Sequence, residues 1–191
     1  MPPVPASRLV QMLILSAILV VGARPASARD YRNSVFGLSA PLPDGLHLCP
    51  QDPGDEDHGM DILMNSRARE GCDDLETHRN LDLFVGVESL ERTLDQVFAD
   101  ECVEGPHGRC LPPYAGLRIR GWPSRSGWTF QPGGWVNIRI VARAPKGDGQ
   151  WINYIFTLHT TRKALKADLA ALRATLSRAT IRPPPQAQSA P

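Results

Sequence analysis

Seven residues in the second half of the chain combine guanidinium cations with indole rings: Arg118, Arg120, Trp122, Trp135, Arg139, Arg143 and Trp151. A guanidinium offers planar, bidentate hydrogen bonding, and an indole adds a broad apolar plane. Together they recognise carboxylates, phosphates, sugars or protein surfaces, and both types are enriched at interface hot spots. Alternation gives the set a geometry. If Ile138, Ile140 and Ala142 face a core, then Trp135, Asn137, Arg139 and Arg143 face the other way. Likewise, Leu117 and Ile119 inward turn Arg118, Arg120 and Trp122 outward. Ile152, Tyr154, Phe156 and Leu158 inward leave Trp151, Asn153, Thr157 and His159 outside. One sheet face then carries four arginines and three tryptophans. The competing reading is internal: indoles stack on guanidiniums, or a helix or loop covers them. A bulge at Gly133-Gly134 would break the alternation.

Four cysteines, Cys49, Cys72, Cys102 and Cys110, supply the next chemistry. An even count in an exported chain reads as disulfides. Of the three connectivities four cysteines allow, the sequential one is favoured, because residues 103–109 form a Gly/Pro loop that invites local closure. Cys49 and Cys72 then clip a longer acidic loop. A zinc site would want paired C-x-x-C spacing, which is missing.

The acidic loop, residues 51–61, offers Asp55, Asp57 and Asp61 around Gly59, with His58 alongside. Calcium wants several oxygens on a tight turn, but this order lacks the bidentate glutamate of an EF-hand loop. A solvated loop tied down by Cys49 is the expectation, and no metal ligand set or cofactor is assigned. Catalytic signals are thin. His47, His58, His78, His107 and His159 are scattered, with no H-E-x-x-H, and no serine sits in a G-x-S-x-G elbow. No catalytic residue is assigned, although a carboxylate pair is set in three dimensions and escapes a motif search.

Positioning these groups requires a sheet. Short strand-like runs fall at residues 35–38, 46–49 and 60–65, and a clearer one at 81–87, with Leu81, Leu83, Val85 and Val87 on one face. Ser89 is placed to cap a helix whose Leu90, Leu94, Val97 and Phe98 share one side. Strands are expected again at 117–122, 128–131, 135–144 and 151–160, with a hairpin turn at 145–149. From Arg162 onward, Leu165, Leu169, Leu172, Leu176 and Ala179 recur at helical spacing with Lys and Arg opposite, so this helix should lie on the sheet. The fold class is α+β: a single domain, a mainly antiparallel sheet packed by two helices.

Charge is divided along the chain. Residues 29–110 hold 18 acidic and 7 basic side chains, a net of −11; residues 111–191 hold 2 and 12, a net of +10. Either the halves pair within the fold through cross-strand ion pairs, or a two-signed surface steers a charged partner. The near balance of the whole, and the compartment, argue against nucleic acid.

The N-terminus sets that compartment. Arg8 gives a positive start, residues 9–23 are an apolar run of 15, and Ala26-Ser27-Ala28 supplies small residues before a cut. This is a secretory signal, and the run falls short of the roughly 20 residues that span a bilayer. Residues 1–28 are therefore read as a signal peptide, 29–182 as one domain, and 183–191 as a disordered Pro-rich tail. The mature chain is expected to be soluble, without a membrane span, and periplasmic or secreted.

Residues 31–46, YRNSVFGLSAPLPDGL, resemble the aromatic–glycine strand, proline and turn that open PsbP/Mog1-like domains. The closing amphipathic helix and the short hydrophobic stop after it are similar too. The cysteines and acidic loop depart from that pattern. The resemblance implies a non-enzymatic binding or assembly module and carries no functional residue across. The sequence therefore points to an exported envelope protein that binds another envelope protein, as an inhibitor or immunity-type protein would. Two alternatives stand beside it: a small-molecule or glycan binder using the Trp/Arg face, and a small envelope hydrolase.

Overall fold

The structure, a computed structural model, describes residues 30–50, 58–65, 69–89, 92–102, 110–112, 117–147 and 149–182. The expected signal peptide, the Pro-rich tail, most of the acidic loop and the loop between Cys102 and Cys110 lie outside them.

Among the described residues, nine strands and two α-helices follow one another as β1 (Asp30–Asn33), β2 (Leu38–Pro41), β3 (His47–Leu48), β4 (Gly59–Leu63), β5 (Asn80–Ser89), α1 (Leu94–Asp100), β6 (Ser124–Gln131), β7 (Trp135–Gly147), β8 (Gln150–Thr161), α2 (Leu165–Arg178) and β9 (Thr180–Ile181). Six strands form one sheet in the order β3-β4-β5-β8-β7-β6, with every neighbouring pair antiparallel. A small second sheet runs β1-β2-β9. The fold is α+β, as expected.

Alternation decides the two faces of the large sheet. Leu81, Leu83 and Val85 of β5, Val136, Ile138, Ile140, Ala142 and Ala144 of β7, and Ile152, Tyr154, Phe156 and Leu158 of β8 are fully buried. They form the main core with Leu169, Leu172 and Leu176 of α2 and with Leu38 and Ala40 of β2. At roughly 1.5–3 kcal/mol per large buried apolar side chain, this layer dominates the stability. It also ties β8 to the turn between β1 and β2: the Tyr154 hydroxyl donates to the Phe36 carbonyl at 2.6 Å. The opposite face is covered in part by α1, whose Leu94, Val97 and Phe98 pack on Val141 and Ile155.

Four boundaries differ from the expectation. Residues 34–37 are a turn and not a strand, because the Asn33 Oδ1 accepts from the Phe36 N–H at 2.9 Å and Gly37 takes φ 66°. Ser89 stays in β5, and the cap of α1 is Thr93, whose hydroxyl accepts from the Gln96 N–H while the Gln96 side chain accepts from the Thr93 N–H. Gly133-Gly134 is the tight connection between β6 and β7; the register shift falls later, between Pro145 and Gly147.

The fourth correction matters most for function. Residues 117–122 are not a strand. Leu117 and Ile119 are buried as the alternation requires, but they join the main core without a ladder partner. The Trp122 N–H bonds the Ile119 carbonyl, and Gly121 takes φ 85°, so the segment turns instead of extending.

Both disulfides join sequential cysteines, Cys49–Cys72 and Cys102–Cys110.

Candidate functional site

The seven expected residues separate into two groups on opposite sides of the large sheet. Trp135, Arg139, Arg143 and Trp151 stand on the face that carries α1; Arg118, Arg120 and Trp122 stand on the α2 side. The single seven-residue face is not formed, because residues 117–122 leave the sheet.

On the α1 side the parity expectation holds, and so does the competing internal reading. The Trp135 indole stacks on the His159 ring, with centroids 4.3 Å apart and planes 12° from parallel. His159 Nδ1 lies 2.5 Å from Asn137 Oδ1, and burial pushes its imidazole below the usual value. The Arg143 guanidinium sits over the Trp151 ring at 5.0 Å and donates to the Arg92 carbonyl. Glu88 organises this end: its carboxylate receives Arg92 at 2.5 Å and the Asn153 amide at 2.6 Å, and its charge also acts on Arg143. Arg143 is only 5% exposed. These groups already hold one another and the start of α1.

Between those two ends lies a carboxyl cluster that motif reading missed. Asp61 of β4 and Asp82 of β5 are direct cross-strand partners, and Asp82 continues in register to Thr157 and then Arg139. Burial, then the charges of Asp61 and Glu101, push the Asp82 carboxyl up to about 7, with Arg139 opposing. Burial raises Asp61 as well. No sequence signal pairs Asp61 with Asp82, because the pairing depends on the β4–β5 register, and the connection between those strands has no fixed hairpin length.

The other group forms a concavity. Arg118, Arg120 and Trp122 make one wall of an open cleft of about 610 Å³, and Arg173, Leu176 and Ser177 of α2 make the other. Arg118 and Arg120 are exposed, and neither is in an ion pair among the described residues. Trp122 is half-buried against the core, which fixes its ring at the cleft edge. Among the described residues the cleft wall includes no carboxylate. Arg173 is the residue that sequence reading missed: it was assigned to the polar side of a helix, and only the docking of α2 beside residues 117–122 brings it to the other two arginines.

No group of three or more His, Cys, Asp or Glu side chains arranged for a metal ion occurs among the described residues. No described helix is long and apolar enough to cross a membrane.

No family model and no curated protein matches the chain. Solved structures do. LpqN of Mycobacterium tuberculosis, described as involved in cell envelope biogenesis, is similar with a TM-score of 0.54 and 13% identity, over 84% of this chain and 88% of that one. The cyanobacterial PsbP (CyanoP) of Synechocystis sp. PCC 6803 matches with a TM-score of 0.42 and 12% identity, over 84% of this chain and 96% of that one. At such identities the likeness is one of fold alone, and a PsbP protein is among the solved structures that the chain resembles, in line with the resemblance of the chain ends.

Proposed function

We propose that this chain is an exported, non-enzymatic binding module of the bacterial-type cell envelope, and that it recognises an anionic ligand in the cleft between residues 117–122 and α2. The observation that carries this reading is the cleft wall: three arginines from two elements, with an indole at the edge and no carboxylate among the described lining residues. Cations lining a concave site raise the local concentration of anions and hold them by charge-assisted hydrogen bonds. Two disulfides suit an oxidising compartment, as does the signal-like N-terminus. The fold shared with LpqN is compatible with an envelope role.

The shape of the surface favours a ligand over a docked protein. A protein-binding face would present Trp122, Trp135 or Trp151 as flat, exposed anchors, and all three are half-buried. One observation favours the hydrolase reading, the raised carboxyl of Asp82 beside Asp61.

Equilibrium binding to a panel of phosphorylated sugars, acidic glycans and acidic peptides tests the proposal. The wild type should bind at least one class, and Arg118→Glu with Arg120→Glu should weaken it by about tenfold or more, equivalent to 1.4 kcal/mol. Equal binding by the two proteins would retire the cleft. Turnover of a panel member by the wild type, lost in Asp82→Asn, would move the function to the carboxyl cluster.

A further inference from the structure

Resting on the cleft reading, we infer that the anionic ligand held there is a sugar, a glycan unit bearing a carboxylate or a phosphate, with its ring against Trp122 and its acid on Arg118 and Arg120. Those two residues supply the charge. They are exposed on either side of the buried Ile119, so they leave the segment on one side. Neither is in an ion pair among the described residues. Arg173 already has a partner, so its charge is not counted toward the ligand.

Two properties of the lining select the ligand class. The first is its apolar part. Trp122 is half-buried on the core, and Ile119 and Leu176, both buried, close the cleft beside it. A bare inorganic anion makes no use of an indole. A sugar does, because the C–H groups on one side of its ring form an apolar plane that matches the aromatic one, while its oxygens stand around the edge.

The second property is hydrogen-bond polarity. Guanidiniums and the indole N–H can only donate. The Ser177 hydroxyl donates to the Ala174 carbonyl at 3.0 Å, which leaves its oxygen as the one side-chain acceptor among the described lining residues. The Ile119 carbonyl is already occupied by the Trp122 N–H. An acidic peptide brings an N–H donor with each non-proline residue, and every donor desolvated without an acceptor weakens binding. A sugar oxygen accepts from a guanidinium, and its own O–H rotates freely toward water or Ser177. The donor-rich lining therefore suits sugar oxygens and not peptide amides. One effect opposes any anion here, since Ser177 stands in the last turn of α2. That helix end carries about half an elementary negative charge, against two full positive charges on Arg118 and Arg120. The cations win.

Calorimetry on the exported protein with both disulfides formed tests the assignment. The probes are maltotetraose, its 6-phosphate, a tetramer of glucuronic acid, and tetraglutamate as a peptide of comparable charge. The variants are Arg118→Gln with Arg120→Gln, Trp122→Leu, and Lys146→Gln as a cation outside the cleft lining.

The glucuronic acid tetramer or the maltotetraose phosphate should bind about tenfold or more tightly than tetraglutamate and than maltotetraose. The arginine variant should lose about tenfold. Trp122→Leu should weaken sugar binding about fivefold and tetraglutamate binding by less than about twofold, and Lys146→Gln should change neither. The glucuronic acid tetramer alone bound identifies a carboxylated sugar; the phosphate alone bound identifies a phosphorylated one; either supports the inference. Tetraglutamate bound by the wild type as tightly as the acidic sugars, through the same arginines, would overturn the sugar assignment and leave the cleft standing. That comparison decides the matter even where Trp122→Leu disturbs packing. Maltotetraose bound as tightly as the acidic sugars, no binding in any arm, or binding that Lys146→Gln weakens as much as the arginine variant does, would overturn both.

Discussion

Two residues show how far local chemistry departs from composition. Asp82 is one of 20 acidic side chains, yet its burial, with the charges of Asp61 opposite and of Glu101, pushes its carboxyl up to about 7. A carboxyl whose pKa is raised on folding is penalised in its charged form. Its contribution is favourable below the ordinary carboxylate value and is lost as pH rises from about 4 through about 7. Asp82→Asn removes a titratable charge at nearly constant shape. The variant should match the wild type near pH 4 and exceed it above pH 7 by on the order of 1–2 kcal/mol, a figure discounted because part of the side chain meets water. Urea unfolding across that range checks it, and a wild type at least as stable as the variant above pH 7 would contradict the burial argument. Gly59 makes the complementary point. In the sequence it looked like the turn glycine of an acidic loop; in the fold it takes φ 151°, and an added Cβ would lie 1.9 Å from the Leu83 carbonyl oxygen. Gly59→Ala should therefore cost about 3 kcal/mol, read as a fall in the unfolding midpoint.

At the scale of elements, legibility followed periodicity and stopped where a pattern has more than one solution. The strands β5, β7 and β8 and the helix α2 were readable because long runs of alternating or helically spaced apolar residues admit one buried face each. The run around Leu117 and Ile119 was not, since two inward side chains require only a core to face and not a ladder to join. Pro112, Gly121 and Pro123 flank that run and favour its turning away. The cap of α1 was misplaced for a similar reason: Ser89 satisfies the single-residue signal, whereas Thr93 with Gln96 satisfies the reciprocal one. The cleft suffered most. Its two walls come from segments about 50 residues apart, and nothing in either segment specifies the other. The disulfides act at this scale too. Chain-entropy arithmetic for separations of 23 and 8 residues gives about 3.4 and about 2.5 kcal/mol. Replacing Cys49 and Cys72 by Ser should therefore destabilise more than replacing Cys102 and Cys110, by about 1 kcal/mol. The reverse order would mean that the short bridge acts mainly by holding α1 against the sheet at Gly127, where Cys110 and Phe98 leave no room for a Cβ.

Across the whole molecule, the divided charge resolves differently on the two sides. In the large sheet the strands of the acidic half, β3-β4-β5, lie beside those of the basic half, β8-β7-β6. On the α1 side the two signs meet. Arg125 pairs with Asp95 at 2.5 Å, Asp82 shares its row with Arg139, and Glu88 acts on Arg143. There the division is structural, and each exposed pair adds little to stability. On the α2 side the described ion pair is the one between Arg79 and the buried Asp168, and the described residues of the cleft wall include arginines and no acid. The contacts between the two halves are thus concentrated on the α1 face. Anion binding in the cleft falls on the α2 face. Titrating ¹⁵N-labelled protein with inorganic pyrophosphate and mapping the amide shifts is the most direct test. Shifts confined to residues 117–122 and 173–177 are predicted. Shifts centred on Arg139, Arg143 and Trp151, or none at saturating anion, would contradict it.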